Sequence, residues 1–583
     1  MIVLGLHMEH DAAVSIIKDG HVLINTSLEK ITKKKKDWRF STDLITYALE
    51  KTGLKITDIN HVAINAFKPG TGVRVFVPFK LATRLPAVFN QDTGELAGDN
   101  YHLLFPGLKA YHIEPEQAYA VECEVHLLNT TIKANIINHH LAHAALAFFT
   151  SPFKKAAIFS LDASCTMGIL PEFGSLYAYA KDIDIWKLYS PGCMVGTMFE
   201  QRCVQLGMGA TGTFKAGTLM GLAPYGKVLP QAIEFEKELT CSYWERTRAQ
   251  RSDKEHLFWQ WMLLSGQPNN FTKTQSDGLR AMNIAASTQY VYEKSVERFV
   301  TQLWEDTKHL DVDGICLTGG SFLNCAYNGK LRAKKQFKDY FWHPACGDDG
   351  AALGAALYAT HVTLRVPRVE HKRKDIMYMG HDFKEHDKEY THEFKIPVEK
   401  EPLNFGNVAQ YLDQNKIVAW YNGKAEVGPR ALCNRSFLAS PKSKTMKDYL
   451  NKKVKNREWF RPFAPVILNE HRSEYFEMDY ESPFMLEAVQ VKPDKKDRIP
   501  AVLHIDDSAR VQTLKEEDNP KMYRLLQAFY KHTGIPLLLN TSLNLGGEPV
   551  VESPEDAFDL FERGNVDVLV LGNFVYKKVK QNA

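Results

Sequence analysis

The feature that most constrains the fold is a pattern of strand, polar turn and strand that occurs twice along the chain. Residues 1–30 predict a short buried strand, a turn at His10 and Asp11, a second strand, a Lys-Asp-Gly turn and a third strand. The same order returns within residues 154–180, where the apolar strand AAIFSL ends at Asp162 and a turn leads into another strand. Two such units with helices between them predict a duplicated α/β fold.

Two later segments place polar groups next to a helix. Residues 313–331 read as a strand, a Gly-Gly turn and a helix, an order that brings backbone N–H groups to an anion. Residues 346–359 place Asp348 and Asp349 directly before a helix of small residues. Either carboxylate could cap that helix or reach into a cleft between the two halves of the fold.

Three histidines lie within five positions in the segment NHHLAHAALAFF, residues 138–149. If the segment is helical, His139 and His143 stand at i and i+4 and project from one face, which is a spacing typical of metal ligands. His140 points away from that face. The alternative is a buried amphipathic helix whose histidines hydrogen-bond to neighbouring groups.

Composition excludes several classes of protein. A chain of 583 residues predicts at least two domains, and its net charge of +3 gives no general attraction to nucleic acid or to an anionic membrane. The nine cysteines form no CxxC pair, which argues against zinc ribbons and favours reduced thiols. The N-terminus lacks the pattern of a signal peptide, and no apolar run approaches the ~18 residues of a membrane span. We therefore expect a soluble cytoplasmic protein.

The second half of the chain has a different character. Residues 363–376 lose apolar periodicity and become basic, which predicts a linker between domains. The densest stretch beyond it, residues 417–468, contains a strand, a Gly-rich turn with Arg430 and a basic segment that ends at Arg461. These cations lie beside Gly, Pro and aromatic residues, unlike an ordinary solvated face.

Taken together, the motifs resemble those of the O-carbamoyltransferases of natural-product and nodulation-factor biosynthesis. They occur in the family's order from residue 2 to about 565. The matching motifs are HDAA with KDG, HHLAHAA, MGLAPYG, GGSFLN, GDDGAALGAA, EVGPRAL.NRS, VKNREWFRPFAP and NTSLN..GEP. The resemblance implies an α/β chain with a Kae1-like domain of actin-like ATPase fold at 1–362, a linker at 363–376 and a YrdC-like α/β domain at 377–583.

Members of such families make carbamoyl-adenylate from carbamoyl phosphate and ATP, and then transfer the carbamoyl group to an alcohol. The resemblance implies a metal site of His139, His143, Asp162 and Asp348 that holds Fe(II), and this donor set suits a divalent first-row transition ion. His10 matches the histidine near the acceptor. It would act as a general base with a free imidazole nitrogen or would position the acceptor, and the alternative is a histidine that caps the hairpin turn.

The resemblance also implies where the co-substrates bind. Gly319, Gly320 and Asn324 would cradle the adenosine, although they could form a simple tight turn. ATP, with Mg²⁺, and carbamoyl phosphate are polyanions that need fixed cations. The matching cations are Arg430, Lys455, Arg461 and Arg510, of which Lys455 and Arg461 would also be catalytic.

The acceptor stays open between an antibiotic, an alkaloid toxin and a sugar, and residues 68–125 could form one wall of its pocket. A homodimer is left open too. Two other functions share this architecture or fold: threonylcarbamoyl-adenosine modification of transfer RNA, and a non-catalytic nucleotide-dependent switch. The chain departs from the family pattern at Gly546, Thr218 and Ala163, which places the departures at acceptor and phosphate contacts.

Overall fold

The structure is a computed structural model. It describes residues 1–37, 39–66, 71–83, 85, 88–96, 120–162, 174–191, 195–208, 215–238, 278–383 and 392–579. The chain forms two compact units. The first comprises Met1–Ile31, Lys36–Leu323 and Leu331–His371, and the second comprises Thr32–Lys35, Asn324–Lys330 and Lys372–Ala583. The predicted domain boundaries, and the roles assigned to the domains, stay predictions.

Strands and helices are interspersed along the described chain. The strands of the first unit are β1 Ile2–His7, β2 Ala13–Lys18, β3 His21–Ser27, β4 His61–Ala66, β5 Arg74–Phe76, β6 Ala120–Leu127, β7 Thr130–Ile137, β8 Lys155–Leu161, β9 Ser175–Lys181, β10 Asp184–Tyr189, β11 Gly314–Thr318 and β12 Tyr340–Phe341. Those of the second unit are β13 Val398–Pro402, β14 Val418–Tyr421, β15 Arg435–Ala439, β16 Ala464–Leu468, β17 Glu487–Gln490, β18 Ser508–Leu514, β19 Leu537–Ser542, β20 Val568–Leu571 and β21 Phe574–Lys578.

The α-helices of the described residues are numbered here in chain order. They are α1 Glu29–Thr32, α2 Thr42–Thr52, α3 Phe79–Ala82, α4 His139–Thr150, α5 Val195–Gln205, α6 Ala216–Leu222, α7 Pro230–Glu238, α8 Gly278–Thr307, α9 Cys325–Ala333, α10 Ala351–Tyr358, α11 Arg373–Met377, α12 Phe405–Asp413, α13 Met446–Tyr449, α14 Arg472–Tyr475, α15 Pro520–Thr533 and α16 Pro554–Arg563. Among the described residues, none of the helices has the length and apolar character needed to cross a membrane.

The two sheets of the first unit share one topology. The first has the order β3-β2-β1-β4-β7-β6-β5, and the second has the order β10-β9-β8-β11-β12. In each, three antiparallel strands form a meander whose first strand pairs in parallel with the next strand of the sheet, β1 with β4 and β8 with β11. A third parallel strand follows, β7 or β12. The predicted duplication of α/β halves is confirmed.

The central strands are apolar on both faces because helices cover them. Strand β1 reads IVLGLH and is buried along nearly its whole length. Helix α10 lies directly on it, since a Cβ at Gly5 would stand 2.1 Å from the backbone oxygen of Ala352. Helix α10 also packs against α4, where a Cβ at Gly354 would lie 2.0 Å from the backbone oxygen of Ala142. Glycine allows these backbone contacts because it lacks a Cβ.

The second unit is built on one nine-stranded mixed sheet in the order β13-β21-β20-β14-β15-β19-β16-β18-β17. Apolar side chains of β14, β16, β19 and β20 form its core with helices α12, α15 and α16. The predicted α/β class is therefore confirmed in both units. Within the predicted linker, Arg368 donates hydrogen bonds to the carbonyl groups of Phe148 and Ser151, each at 2.7 Å, so this part of the segment packs on the first unit.

Candidate functional site

The three histidines of residues 138–149 lie on the first turns of α4. The side chain of Asn138 caps the helix by accepting a hydrogen bond from the backbone N–H of Leu141 at 3.2 Å. His139 and His143 lie one turn apart on the same face, and His143 is fully buried. His140 points elsewhere and contacts the hydroxyl of Ser160 through Nδ1 at 3.0 Å. The cap and the helical spacing therefore set the direction of the two predicted ligands.

Two carboxylates reach the same place from the second half of the first unit. Asp162 follows β8, and its Oδ2 accepts a hydrogen bond from the backbone N–H of Gly320 at 2.8 Å. Asp348 begins the short 3-10 turn that leads into α10. The backbone of Gly319, at a φ of +91°, passes so close to β8 that a Cβ would lie 2.2 Å from the Leu161 oxygen. In the structure this Gly-Gly turn positions Asp162.

The four predicted metal ligands converge in the structure. One ligand atom from each of His139, His143, Asp162 and Asp348 lies within 4.8 Å of the other three. The two histidine Nε2 atoms are 3.1 Å apart. Asp348 Oδ1 is 3.4 Å from Nε2 of His139 and 3.3 Å from Nε2 of His143, and Asp162 Oδ2 is 3.2 Å from Nε2 of His143.

This donor set fits a divalent transition ion. The two imidazole nitrogens face one another at 3.1 Å, and two carboxylate oxygens lie beside them. A cation placed between these four atoms would receive a lone pair from each of them. The ring of His139 is oriented by Asn65, whose Oδ1 lies 3.2 Å from Nδ1 of His139 and 2.9 Å from Nδ1 of His7. An Nδ1–H donated to Asn65 leaves Nε2 of His139 free to bind metal. His7 and Asn65 were not predicted, since neither belongs to the His pair or to a strand-end carboxylate.

Burial and the neighbouring carboxylates shift the pKa values of the two histidines in opposite directions. Burial lowers the pKa of His139 to about 4. Burial would lower that of His143 as well, but Asp162 and Asp348 outweigh it and raise its pKa to about 9. Burial, followed by the charge of Asp162, raises the pKa of Glu200 on α5 to about 8. Glu200 is a further carboxyl group of this neighbourhood that the sequence motifs did not indicate.

His10 lies beside the same carboxylate. Its Nε2 is 2.8 Å from Oδ2 of Asp348, and the charge of Asp348 raises the pKa of His10 to about 10. The side chain of His10 is still 39% exposed, so a substrate could contact it. A general base needs a free imidazole nitrogen. In the structure Nε2 of His10 contacts Asp348, and this contact favours the protonated ring.

The predicted anion-binding residues lie in the second unit. Lys455 is buried at the end of a π-helical turn, and its Nζ donates to the backbone oxygens of Ser542 at 2.5 Å and Asn544 at 3.0 Å and to Asn544 Oδ1 at 2.9 Å. A fourth, longer contact runs to Oγ of Ser542 at 3.3 Å, so the three N–H donors of the ammonium group are all directed at Ser542 and Asn544. Lys455 thus holds the loop after β19 in place, and a direct contact of Lys455 with phosphate stays a prediction.

Arg457 and Arg461 lie close enough to Lys455 to lower its pKa further, after burial, and Arg510 lies near both arginines. Burial, and then the charges of Arg461 and Arg510, hold the pKa of Arg457 well below its usual range. The pKa of Arg461 is lowered by burial and by Arg510, although Glu458 opposes the shift from 3.6 Å. Arg457 was not predicted, although it lies in the motif VKNREWFRPFAP. We call Lys455, Arg457, Arg461 and Arg510 the cationic cluster.

The remaining predicted site residues lie in several different parts of the chain. Arg430 is half-buried in the loop before β15, and Asn324 belongs to the second unit, where its Oδ1 accepts from the N–H of Tyr327 at 3.3 Å at the start of α9. Thr218 is buried in α6. Ala163 lies outside the described residues, as does much of the predicted acceptor wall at 68–125.

The departure at Gly546 has a structural reason. A Cβ at this position would lie 2.3 Å from the backbone oxygen of Lys455. The loop after β19 therefore passes too close to Lys455 to admit a side chain at position 546.

Comparison with known proteins identifies the family. The family model described as carbamoyltransferase N-terminus matches residues 2–357, and the model described as carbamoyltransferase C-terminus matches residues 409–578. These matches cover the larger part of the chain. The chain belongs to the carbamoyltransferase family and is a transferase of carbamoyl groups.

Two relatives and one solved structure illustrate the similarity. Nodulation protein NolNO of Sinorhizobium fredii is 31% identical over 98% of this chain and 79% of its own length. The 3'-hydroxymethylcephem-O-carbamoyltransferase of Amycolatopsis lactamdurans is 36% identical over 45% of this chain and 49% of its own. The crystal structure of T. kodakarensis HypF superimposes with a TM-score of 0.32 at 12% identity, over 63% of this chain and 48% of that one.

Proposed function

We propose that the chain catalyses ATP-dependent carbamoylation of a hydroxyl group on a small molecule, in two steps. The second unit forms carbamoyl-adenylate from carbamoyl phosphate and ATP. Because the adenylate keeps only the carbamoyl group and the AMP part of ATP, this step consumes water and releases phosphate and pyrophosphate. The first unit then transfers the carbamoyl group to the acceptor oxygen, and AMP leaves with the electrons of the broken bond.

The observation that carries the first step is the cationic cluster. Burial, and then the charge of neighbouring guanidinium groups, lowers the pKa values of Arg457 and Arg461, and such crowding of like charges costs free energy unless an anion offsets it. Guanidinium groups bind phosphate oxygens through two parallel hydrogen bonds. Such groups would bind both polyanionic substrates and stabilise the charge that develops on the transferring groups.

The second step is assigned to the cluster of His139, His143, Asp162 and Asp348. These four side chains would hold a divalent transition ion, for which we propose Fe(II). When bound, that ion supplies a Lewis-acid contact for phosphate oxygens. Asn65 orients His139, and the Gly-Gly turn orients Asp162.

His10 is proposed to position the acceptor. It lies next to Asp348 and is more exposed than His139 or His143, and its ring can donate a hydrogen bond to an oxygen of the incoming alcohol. The named relatives act, by their names, in nodulation and on a hydroxymethylcephem. A hydroxymethyl or sugar hydroxyl of a natural product is the acceptor class we propose.

The test is incubation of the protein with ATP, carbamoyl phosphate and a panel of hydroxylated natural products, followed by mass spectrometry. The expected product carries one added carbamoyl group and forms only when both co-substrates are present. Omitting ATP is the control. Product formation without ATP would contradict the adenylate route, and the absence of pyrophosphate with any acceptor would contradict the first step.

A further inference from the structure

A β-bulge near the end of β4 places Asn65 beside two histidines. Strands β1 and β4 pair in parallel, and their register shifts between Leu6 and His7. Asn65 is the extra residue of β4 at this shift. Bulges of this kind re-aim a side chain, and they are over-represented next to active sites. Both His7 and Asn65 are buried, at 0% and 1% exposure, so the contacts of their side chains lie inside the first unit.

Asn65 and His7 form a chain of hydrogen bonds between a proposed metal ligand and the turn that carries His10. Oδ1 of Asn65 lies 3.2 Å from Nδ1 of His139 and 2.9 Å from Nδ1 of His7. The other ring nitrogen of His7, Nε2, lies 3.1 Å from the backbone oxygen of His10. His7 thus contacts the backbone of His10, whereas Asp348 contacts its side chain at 2.8 Å.

Metal binding determines the direction of each of these hydrogen bonds. Nε2 of His139 needs its lone pair to bind a cation, so Nδ1 carries the proton and donates to Oδ1 of Asn65. Turning the amide over would place one N–H donor against another. With Oδ1 in this position, His7 donates to it from Nδ1 and donates from Nε2 to the backbone oxygen of His10. His7 can donate to both oxygens at once only as the doubly protonated ring.

We propose that His7 is a positioning residue that links occupancy of the metal site to the backbone of the turn at His10. With a cation bound, His139 has one tautomer, this tautomer fixes the orientation of the Asn65 amide, and the amide orients the ring of His7. The ring then holds the carbonyl group of His10. This inference rests on the proposed function and adds to it a reason why the acceptor histidine is fully fixed in place only when the metal is bound.

Hydrogen–deuterium exchange of the backbone amides of residues 8–12 tests this link, with Co(II) as the metal. Co(II) is a divalent first-row ion that suits the same nitrogen and oxygen donors. Loading the full chain with Co(II) should slow exchange in the turn by roughly 10-fold, which is the effect of about one hydrogen bond. His7→Phe keeps an aromatic ring but has no N–H group, so Co(II) should no longer slow the exchange.

A second variant separates the two routes from the metal site to His10. His10→Ala removes the side chain that contacts Asp348 and keeps the backbone carbonyl that contacts His7. Co(II) should therefore still slow exchange in His10→Ala. The reverse result, in which the effect of Co(II) is retained in His7→Phe and lost in His10→Ala, would overturn the inference, because the link would then run through Asp348.

Substitutions of Asn65 test the same hydrogen bonds without changing a histidine. Asn65→Asp keeps an oxygen that accepts from both Nδ1 atoms, and it should preserve the effect of Co(II) on exchange. Asn65→Leu has a similar volume and no acceptor, so it should lose that effect. It should also lower the affinity for Co(II) by roughly 10–100-fold, as measured by titration of the visible absorption. Unchanged exchange and affinity in a folded Asn65→Leu variant would contradict the inference.

His61 provides a matched control. It is a buried histidine of the same strand, β4, and its Nε2 lies 2.7 Å from Oδ1 of Asn135. His61→Phe therefore also removes a buried histidine–asparagine pair, and it should respond to Co(II) as the unsubstituted chain does. Thermal unfolding checks that each variant is folded. An equal loss of the effect in His61→Phe and His7→Phe would overturn the inference, while failure of the unsubstituted chain to bind Co(II) would overturn the proposed metal site as well.

Discussion

At the scale of single residues, the metal proposal depends on which histidine faces the carboxylates. His143 is fully buried and its Nε2 lies within 3.3 Å of both Asp162 Oδ2 and Asp348 Oδ1. His140, three positions earlier, contacts Ser160 instead. The two histidines are chemically identical and lie on the same helix, so they form a matched pair for a test.

His143→Ala should lower the affinity for metal by at least ~100-fold relative to the unsubstituted chain, because one of the four ligands is lost. His140→Ala should bind metal normally. Metal content is measured by inductively coupled plasma mass spectrometry after anaerobic loading with Fe(II), and circular dichroism checks the fold. Full metal content in a folded His143→Ala variant would contradict the assignment.

Gly546 shows how one missing Cβ shapes the second unit. Its backbone lies against the backbone oxygen of Lys455, and Lys455 in turn holds Ser542 and Asn544. Any larger residue at 546 must therefore displace the loop after β19 or the turn that carries Lys455.

Gly546→Ala should lower the free energy of unfolding by about 1–3 kcal/mol, because its Cβ would lie 2.3 Å from a backbone atom that cannot rotate away. Gly217→Ala is the matched control, since nothing lies within 4 Å of its Cβ position in helix α6. The control should stabilise the protein by about 0.5–1 kcal/mol. Urea denaturation measures both, and equal stability of the two variants would show that the loop adapts freely.

At the scale of elements, the metal cluster is set by the packing of α4 on α10. Helix α4 carries His139 and His143, and Asp348 stands just before α10. Gly354 of α10 contacts the backbone oxygen of Ala142 on α4. The distance between the helices, and hence the distance between imidazole and carboxylate, depends on this glycine.

Gly354→Ala should therefore weaken metal binding although no ligand is changed. Its Cβ would lie 2.0 Å from the Ala142 oxygen, so the helices must separate at a cost of about 1–3 kcal/mol. Loosening the ligand geometry should lower metal affinity by roughly 10–100-fold. Titration with Fe(II) measures the affinity, and an unchanged value in a destabilised variant would show that the cluster tolerates helix movement.

The sequence predicted elements better than it predicted contacts. The two strand-turn-strand units and the helix at 139–150 follow from local periodicity, and the structure contains them. The close approach of α10 to β1 and α4 could not be read from local patterns, because it depends on which small residues face each other across the fold. Asn65 and His7 were missed for the same reason, since they contact each other across strands β1 and β4, which are neighbours in the sheet but far apart in the sequence.

The cationic motifs illustrate a second limit. The family resemblance drew attention to Lys455, and the structure engages all its donors with Ser542 and Asn544. Arg457, two residues on, belongs to the cluster without having been predicted. Residue type and motif indicate that a segment binds anions, but the side chain that faces the ligand is decided by the backbone turn around it.

At the scale of the whole molecule, we propose that each unit carries out one chemical step. The cationic cluster belongs to the second unit and the proposed metal cluster to the first. Damage to one site should therefore leave the other step working. The two half-reactions can be followed separately, since adenylate formation is reversible and releases pyrophosphate, whereas transfer yields the carbamoylated product.

Arg461→Ala tests the role of the second unit. The loss of one guanidinium from the cationic cluster should slow adenylate formation by roughly 10²–10³-fold, because charge on the transferring group is no longer stabilised. Arg563→Ala is the matched control, because this exposed arginine pairs with Glu548 and Asp559 on the surface. It should behave as the unsubstituted chain does. Equal slowing by both substitutions would contradict a specific role for Arg461.

Exchange of labelled pyrophosphate into ATP in the presence of carbamoyl phosphate tests the assignment of the two steps to the two units. We predict that His143→Ala retains this exchange while product formation is lost, and that Arg461→Ala loses both. Loss of exchange in a folded His143→Ala variant, or normal exchange in Arg461→Ala, would contradict the assignment of the two steps to the two units.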